Sequence, residues 1–257
     1  MLLQGDYHTH TVYSHGKGSV MDNAVSAKEK GLLEIGISDH GFSHPFFGLN
    51  KKDLNSLKAD CEVATRETGV KVLVGIESNF IDSNGGCDLT EDFYDKFDIF
   101  LAGIHVCVGY KDFTARWMMG TYSPLATKMN LLPSEKLKAY TTNVYIKGIE
   151  KQPIDVLTHL NYRAFSNVKE VADCCREFGT YVEINTKKTH MTDEEWAEVS
   201  STGVNFVIGS DAQSPNRVAD INSALELIKR IGIDSSRVHN LNRLPDFRFK
   251  KYKGGNG

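Results

Sequence analysis

A chain of 257 residues, 40% hydrophobic and 25% charged, has an ordinary globular composition and enough length for one large core. A net charge of −3 and a pI near 6.3 exclude the broad basic field that would draw it to nucleic acid or an anionic bilayer. There is no basic N-terminal stretch leading into an apolar core, and no run approaches the roughly 18 apolar residues of a membrane span, so a cytoplasmic protein without a membrane partner is expected. Its cysteines, Cys61, Cys87, Cys107, Cys174 and Cys175, are odd in number and lack paired C-x-x-C spacing, which reads as reduced, mostly core thiols rather than a disulfide framework, with Cys107 two residues after a candidate ligand, His105.

Strand-like runs alternate with helical apolar spacing along the chain. A strand over Leu3 to Thr9 leads to a helix over Met21 to Lys30, a strand over Glu34 to Ser38, a helix over Leu54 to Thr68, and strands over Lys71 to Glu77 and Ile99 to His105. A connection at 106–133, rich in Tyr, Trp, Met and Gly, follows; it either overhangs a functional site or forms a small satellite core. Then come a helix over Ser134 to Glu150, a strand over Ile154 to His159, a helix over Val168 to Phe178, a strand over Thr180 to Asn185, a helix over Asp193 to Ser201, a strand over Asn205 to Ser210, and a helix over Val218 to Ile231. Gly31, Gly69, Gly179, Gly203 and Gly232 stand where helices should stop. This is the α/β class, one domain over 1–257 built of repeated β-α units around a parallel barrel. The basic stretch from Arg243 to Lys253 reads as a solvated tail, and Gly254 to Gly257 as a frayed end.

Ligand-type residues gather at the strand ends. The first strand ends in His8 and His10, whose i, i+2 spacing presents both rings on one face, with His15 just beyond. The second ends in Asp39-His40, the third in Glu77, the fourth in His105, the fifth in His159 and the seventh in Asp211. In a parallel barrel all strand C-termini open on one face, so these residues would converge there. Six imidazoles and two carboxylates exceed the needs of one ion and imply two or three divalent metals with a bridging carboxylate. Such a cluster suits phosphate ester hydrolysis.

The ordered set Tyr7-His8-Thr9-His10-Thr11, Ser14-His15-Gly16-Lys17-Gly18, Ile37-Ser38-Asp39-His40-Gly41, Gly75-Ile76-Glu77, Ala102-Gly103-Ile104-His105, Thr158-His159 and Gly209-Ser210-Asp211-Ala212 resembles the polymerase and histidinol phosphatase (PHP) superfamily across roughly residues 5 to 230. The resemblance implies a distorted seven-stranded (β/α)7 barrel with a trinuclear zinc, manganese or iron site. It implies that His8, His10, Glu77 and Asp211 bind a first metal, that Glu77, His105 and His159 bind a second, and that His15, His40 and the residue two beyond Asp211 bind a third. That last position is histidine in the family and Gln213 here. Three outcomes follow: Gln213 ligates through its oxygen, water replaces the histidine, or the enzyme is binuclear; a weaker third site is expected.

Three further residues are candidates for chemistry. Asp39 either orients a ligand or relays a proton, or it caps a loop. Arg163 resembles the basic position that grips a phosphate oxygen in histidinol phosphatases, and a surface ion pair is its plainer reading. Asp211 or Asp39 would handle the proton. Lys17, Lys111 and Arg116 are weaker phosphate contacts; His44 is a candidate substrate contact, His190 and His239 fall outside the motifs, and Asn185 and Glu183 either serve the site or act locally. The expected reaction is attack of a metal-bridging hydroxide on a small phosphomonoester. The rivals are a phosphodiesterase or nucleotide phosphoesterase and, with Gln213 as sole support, a non-catalytic metal-binding module. No nucleotide-binding glycine fingerprint is present, and the sequence leaves the oligomeric state open.

Overall fold

The computed structural model describes residues 2–129 and 131–255; Asn256 and Gly257, part of the expected frayed end, lie outside the described residues. Seven strands, β1 Gly5–Thr9, β2 Glu34–His40, β3 Lys71–Asn79, β4 Ile99–Gly103, β5 Val156–Leu157, β6 Tyr181–Asn185 and β7 Phe206–Gly209, form one sheet in sequence order, and every pairing is parallel. The sheet curls until its edges meet. Thr9 bridges Ala212, and the His10 N–H donates to the Ala212 carbonyl at 2.8 Å. Below this seam the buried Asp6 carboxylate accepts from the Ser210 and Ala219 N–H groups at 3.1 and 2.9 Å. The result is the expected distorted (β/α)7 barrel.

Around it lie α1 Val20–Glu29, α2 Leu54–Thr68, α3 Phe113–Trp117, α4 Ser123–Lys128, α5 Glu135–Lys151, α6 Val168–Phe178, α7 Asp193–Ser201, α8 Asn222–Ile231 and α9 Arg248–Gly255. Ser19 and Thr192 open α1 and α7 with reciprocal capping boxes, which satisfy amide donors that a helix start leaves unpaired. The helix over Val218 to Ile231 starts later than its apolar spacing predicts: Pro215–Arg217 form a 3-10 turn, and Ala219, at φ 56°, cannot continue a right-handed helix. The fifth strand is likewise cut to Val156–Leu157, because His159 takes φ 28°. No helix among the described residues is long and apolar enough to cross a membrane.

Two apolar layers hold the barrel. The larger packs the helices on the outer face of the sheet; the smaller fills the floor of the barrel with Tyr7, Leu73, Ile99, Leu101, Val156, Tyr181 and Val207. The basic C-terminal stretch is not a solvated tail. Phe247 packs on the floor residues, Phe249 is fully buried, and its N–H donates to Asp155 at 2.8 Å, while Arg248 reaches the Ile149 carbonyl and Thr180. Apolar residues spaced within the basic run anchor it; Lys250 and Lys251 face outward, and Lys253 donates to the Phe97 carbonyl.

A bulge in β1 sets what stands above that floor. Asp6 faces Ile35 and Thr9 faces Ile37, so β1 carries one extra residue between them. An extra residue reverses which side each following side chain faces. Tyr7 therefore points into the floor, and His8 and His10 point into the barrel as well. Glycines make room at their level: a Cβ on Gly209 would lie 2.0 Å from Glu183 Oε1, and one on Gly103 would lie 2.7 Å from the His159 ring.

Candidate metal centre

Glu77, near the end of β3 and 1% exposed, is the hub. Its Oε1 lies 3.2 Å from His8 Nε2, 3.1 Å from His105 Nε2 and 2.7 Å from His159 Nε2; its Oε2 lies 2.9 Å from His40 Nδ1 and 3.7 Å from His10 Nε2. His10 Nε2 is also 3.3 Å from Asp211 Oδ1. The His15 ring stacks on His40 at 4.7 Å and stands 5.1 Å from His10. Donor atoms within 4.8 Å of one another form three groups: His8, His10 and Asp211; His40, Glu77 and His105; His10, His15 and His40.

The chemistry of these donors fits cations. His8 Nε2, His10 Nε2, His15 Nδ1, His40 Nδ1 and Glu77 Oε2 are buried without a hydrogen-bond partner, although buried polar atoms are otherwise nearly always paired. Burial would raise the Glu77 and Asp211 carboxyls, but the surrounding imidazoles, His8 first, hold both well below the usual carboxylate value. Burial would lower the His8 ring, but Glu183, Glu77 and Asp211 together hold it well above the ordinary imidazole value. His10 is lowered to about 3 by burial, and His15 to about 4 by burial and the neighbouring His40. Three carboxylates and six imidazoles thus present an electron-rich, largely buried pocket.

The PHP domain profile matches residues 6–187. The chain belongs to the PHP domain family. It is 30% identical to a probable phosphatase of Vibrio vulnificus, over 96% of this chain and 93% of that one, and 28% identical to a probable phosphatase of Thermoanaerobacter sp., over 93% and 91%. Its fold is similar to that of histidinol phosphate phosphatase from Lactococcus lactis, solved with zinc, L-histidinol and phosphate, at a TM-score of 0.62 and 16% identity over 97% of this chain and 98% of that one. A putative histidinol phosphatase from Listeria monocytogenes gives a TM-score of 0.58 at 14% identity over 86% and 99%.

In this PHP domain the cluster forms the base of a cavity of about 500 Å³, with Phe46, Phe47, Cys107, Tyr162, Lys187 and Gln213 among its walls. The groups of ligand candidates share members. His10 stands between the Asp211 group and the His15–His40 pair, and His40 also turns toward Glu77. Gln213 lines the cavity beside His15 and His40, held by its backbone carbonyl, which accepts from the Lys17 N–H at 2.9 Å.

Two of the residues expected to do chemistry stand elsewhere. Asp39 is buried and touches no imidazole; it accepts from the Thr11 N–H, the Thr11 hydroxyl and the Ser14 hydroxyl at 2.7, 2.6 and 2.5 Å. Burial pushes its carboxyl up against the pull of those bonds. It fastens the loop that carries His15. Arg163 is exposed, with its guanidinium 5.6 Å from the Tyr162 ring centre, and lines an adjoining groove instead of the cavity. Its backbone sits at φ 49°, on a loop that turns away just after His159. Of the described residues of the long connection, Val106 and Cys107 line the cavity; α3, a wide π-type turn over Met118–Tyr122 and α4 follow, with Ala115 and Met119 joining the outer core and Met118 and Ala126 buried beside them.

Sequence reasoning undervalued β6. Glu183 Oε1 lies 2.6 Å from His8 Nδ1, and Oε2 accepts from the His159 N–H at 2.8 Å, so one carboxylate orients two ligand candidates. Asn185 donates to Glu183 at 3.0 Å, and Lys187 donates to Asp211 at 3.1 Å. A charged residue inside Val182-Glu183-Ile184, a wholly buried strand, was the available signal. His44 and His190, both lowered to about 4 chiefly by burial, also line the cavity.

Proposed function

We propose that this PHP-family phosphatase removes the phosphoryl group from a small phosphomonoester with the help of two or three divalent cations, zinc, manganese or iron. The convergence of the His8, His40, His105 and His159 nitrogens on Glu77 carries the reading. His8, His10 and Asp211 would hold one cation; Glu77, His105 and His159 a second; His15, His40 and Gln213 a third, weaker one. Such ions lower the pKa of a bound water and neutralise charge growing on phosphoryl oxygens.

The chain's own groups do the rest. Glu183 fixes the tautomer and angle of His8, and Asp39 fixes the His15 loop. Asp211, 13% exposed at the cavity wall and held ionised, is placed to accept the proton of the attacking water, with Lys187 against its Oδ1. Phe46 and Phe47 line the cavity and give it an exposed apolar surface. The bound histidinol and phosphate of the Lactococcus lactis protein support a small substrate. Buried Cys61, Cys87, Cys174 and Cys175 suit a reducing cytoplasm.

The test is phosphate release from a phosphomonoester panel, in zinc and in manganese, beside bis-p-nitrophenyl phosphate and a short oligonucleotide. Turnover of the monoesters alone is expected. Faster cleavage of the diester or the oligonucleotide would overturn the substrate class.

A further inference from the structure

The cavity does not end at Tyr162. A second groove of about 1420 Å³ runs on from it, and Tyr162, Lys188 and His190 line both spaces. The Tyr162 ring stands 5.1 Å from the His159 ring and 4.9 Å from the His190 ring, so it is the partition between the cluster and the groove. Arg163 lies against this partition on the groove side. Its place is built: the fully buried Ser123 of α4 donates its hydroxyl to the Arg163 carbonyl at 2.9 Å, and the Tyr162 N–H donates to the His159 carbonyl at 2.8 Å.

Cations outnumber acids along the groove. Arg163, Lys188 and Lys128 line it, and neither Arg163 nor Lys188 makes an ion pair among the described residues. Its one lining acid, Glu195, is already engaged: Oε1 accepts from the Asn161 amide at 3.1 Å and Oε2 from the Thr192 N–H at 2.9 Å. Glu77 and Asp211 are turned to the histidines. Pro124, Leu125 and Leu132 also line the groove and give it apolar surface suited to a carbon skeleton.

We infer that this groove receives the alcohol portion of the phosphomonoester and selects one bearing a second anionic group, a carboxylate or another phosphate, over one bearing an ammonium. The inference rests on the phosphatase reading. An aminoalkyl phosphate such as histidinol phosphate would bring its ammonium toward Arg163 and Lys188, whereas a second anion finds a guanidinium fork and an ammonium without partners.

The test is isothermal titration of the zinc-reconstituted protein with two non-hydrolysable probes, 4-phosphonobutyrate and 4-aminobutylphosphonate. The carboxylate probe is expected to bind at least about tenfold more tightly. That advantage should shrink to about threefold or less in the double variant Arg163→Gln, Lys188→Gln. Equal binding of the probes, tighter binding of the amine, or an advantage that survives in the variant overturns the inference. Hydrolysis of p-nitrophenyl phosphate by the wild-type protein separates the two readings. No turnover with the preference intact overturns the phosphatase reading alone, and turnover without the preference overturns the groove assignment alone.

Discussion

Glu77 and Glu183 divide one task. The first faces the cluster from inside, and the second holds the His8 ring and the His159 backbone N–H from behind. Glu77→Gln should leave the circular dichroism spectrum unchanged and take phosphatase turnover below detection; a folded variant that still turns over would remove the hub role. Glu183→Gln keeps the shape but weakens the hold on His8 Nδ1, so metal affinity should fall about 10- to 100-fold, read by competition with a chromophoric chelator. Gln213→His should tighten the third cation alone, counted by elemental analysis after chelator stripping and reconstitution. Three equally tight equivalents in the wild-type protein would contradict a weak third site.

Residues of ligand type at strand ends were readable because histidine pairs and buried acids are costly without a purpose. Glu183 was harder to place, since its partner His8 is 175 positions away in the chain. The position of Arg163 in the adjoining groove was not legible, because a left-handed backbone turn cannot be read from side-chain identity.

At the level of elements, spacing located every strand and the major helices, and it erred where backbone geometry broke the pattern. The β1 bulge is the clearest case: alternation from Tyr7 would send His8 to the opposite face, and one inserted residue brings it back. The C-terminal segment was misread because its charges outnumber the two aromatic residues that anchor it. Phe249→Ala should cost about 3–5 kcal/mol of unfolding free energy, measured by urea denaturation. A loss below about 1 kcal/mol would show that α9 is not part of the cooperative fold.

Asp155, which receives the Phe249 and Phe100 N–H groups, is pushed up to about 7 by burial. The unfolded chain releases this proton at about pH 4 and the folded chain at about pH 7, so the group's contribution to stability declines as pH rises through that window. Relative to Asp155→Asn, the wild-type protein should therefore be favoured more at pH 5 than at pH 7.5, by on the order of 1–2 kcal/mol. A pH-independent difference between the two would contradict this.

For the whole molecule, cations that bind only the folded cluster must stabilise it. Stripping them with a chelator should lower the melting temperature and adding zinc should restore it, with about 4 kcal/mol regained at a thousandfold excess over Kd. An unchanged melting temperature would mean that the ions do not engage the assembled barrel. The barrel class was legible from strand and helix alternation. Closure was not, because it depends on Asp6 reaching Ser210 and Ala219 across nearly the full chain.

That seam imposes a timetable on synthesis. His8 and His10 leave the ribosome early, yet Asp211 and the edge that pairs with β1 are made roughly 200 residues later, which at cellular translation speeds is a wait of roughly 10–40 s. Throughout it the nascent chain displays paired imidazoles without the acid that completes their set, so it has the means to capture a stray transition metal before it has the fold to choose one. For the cation centre proposed above, selection is therefore a question of order as well as affinity.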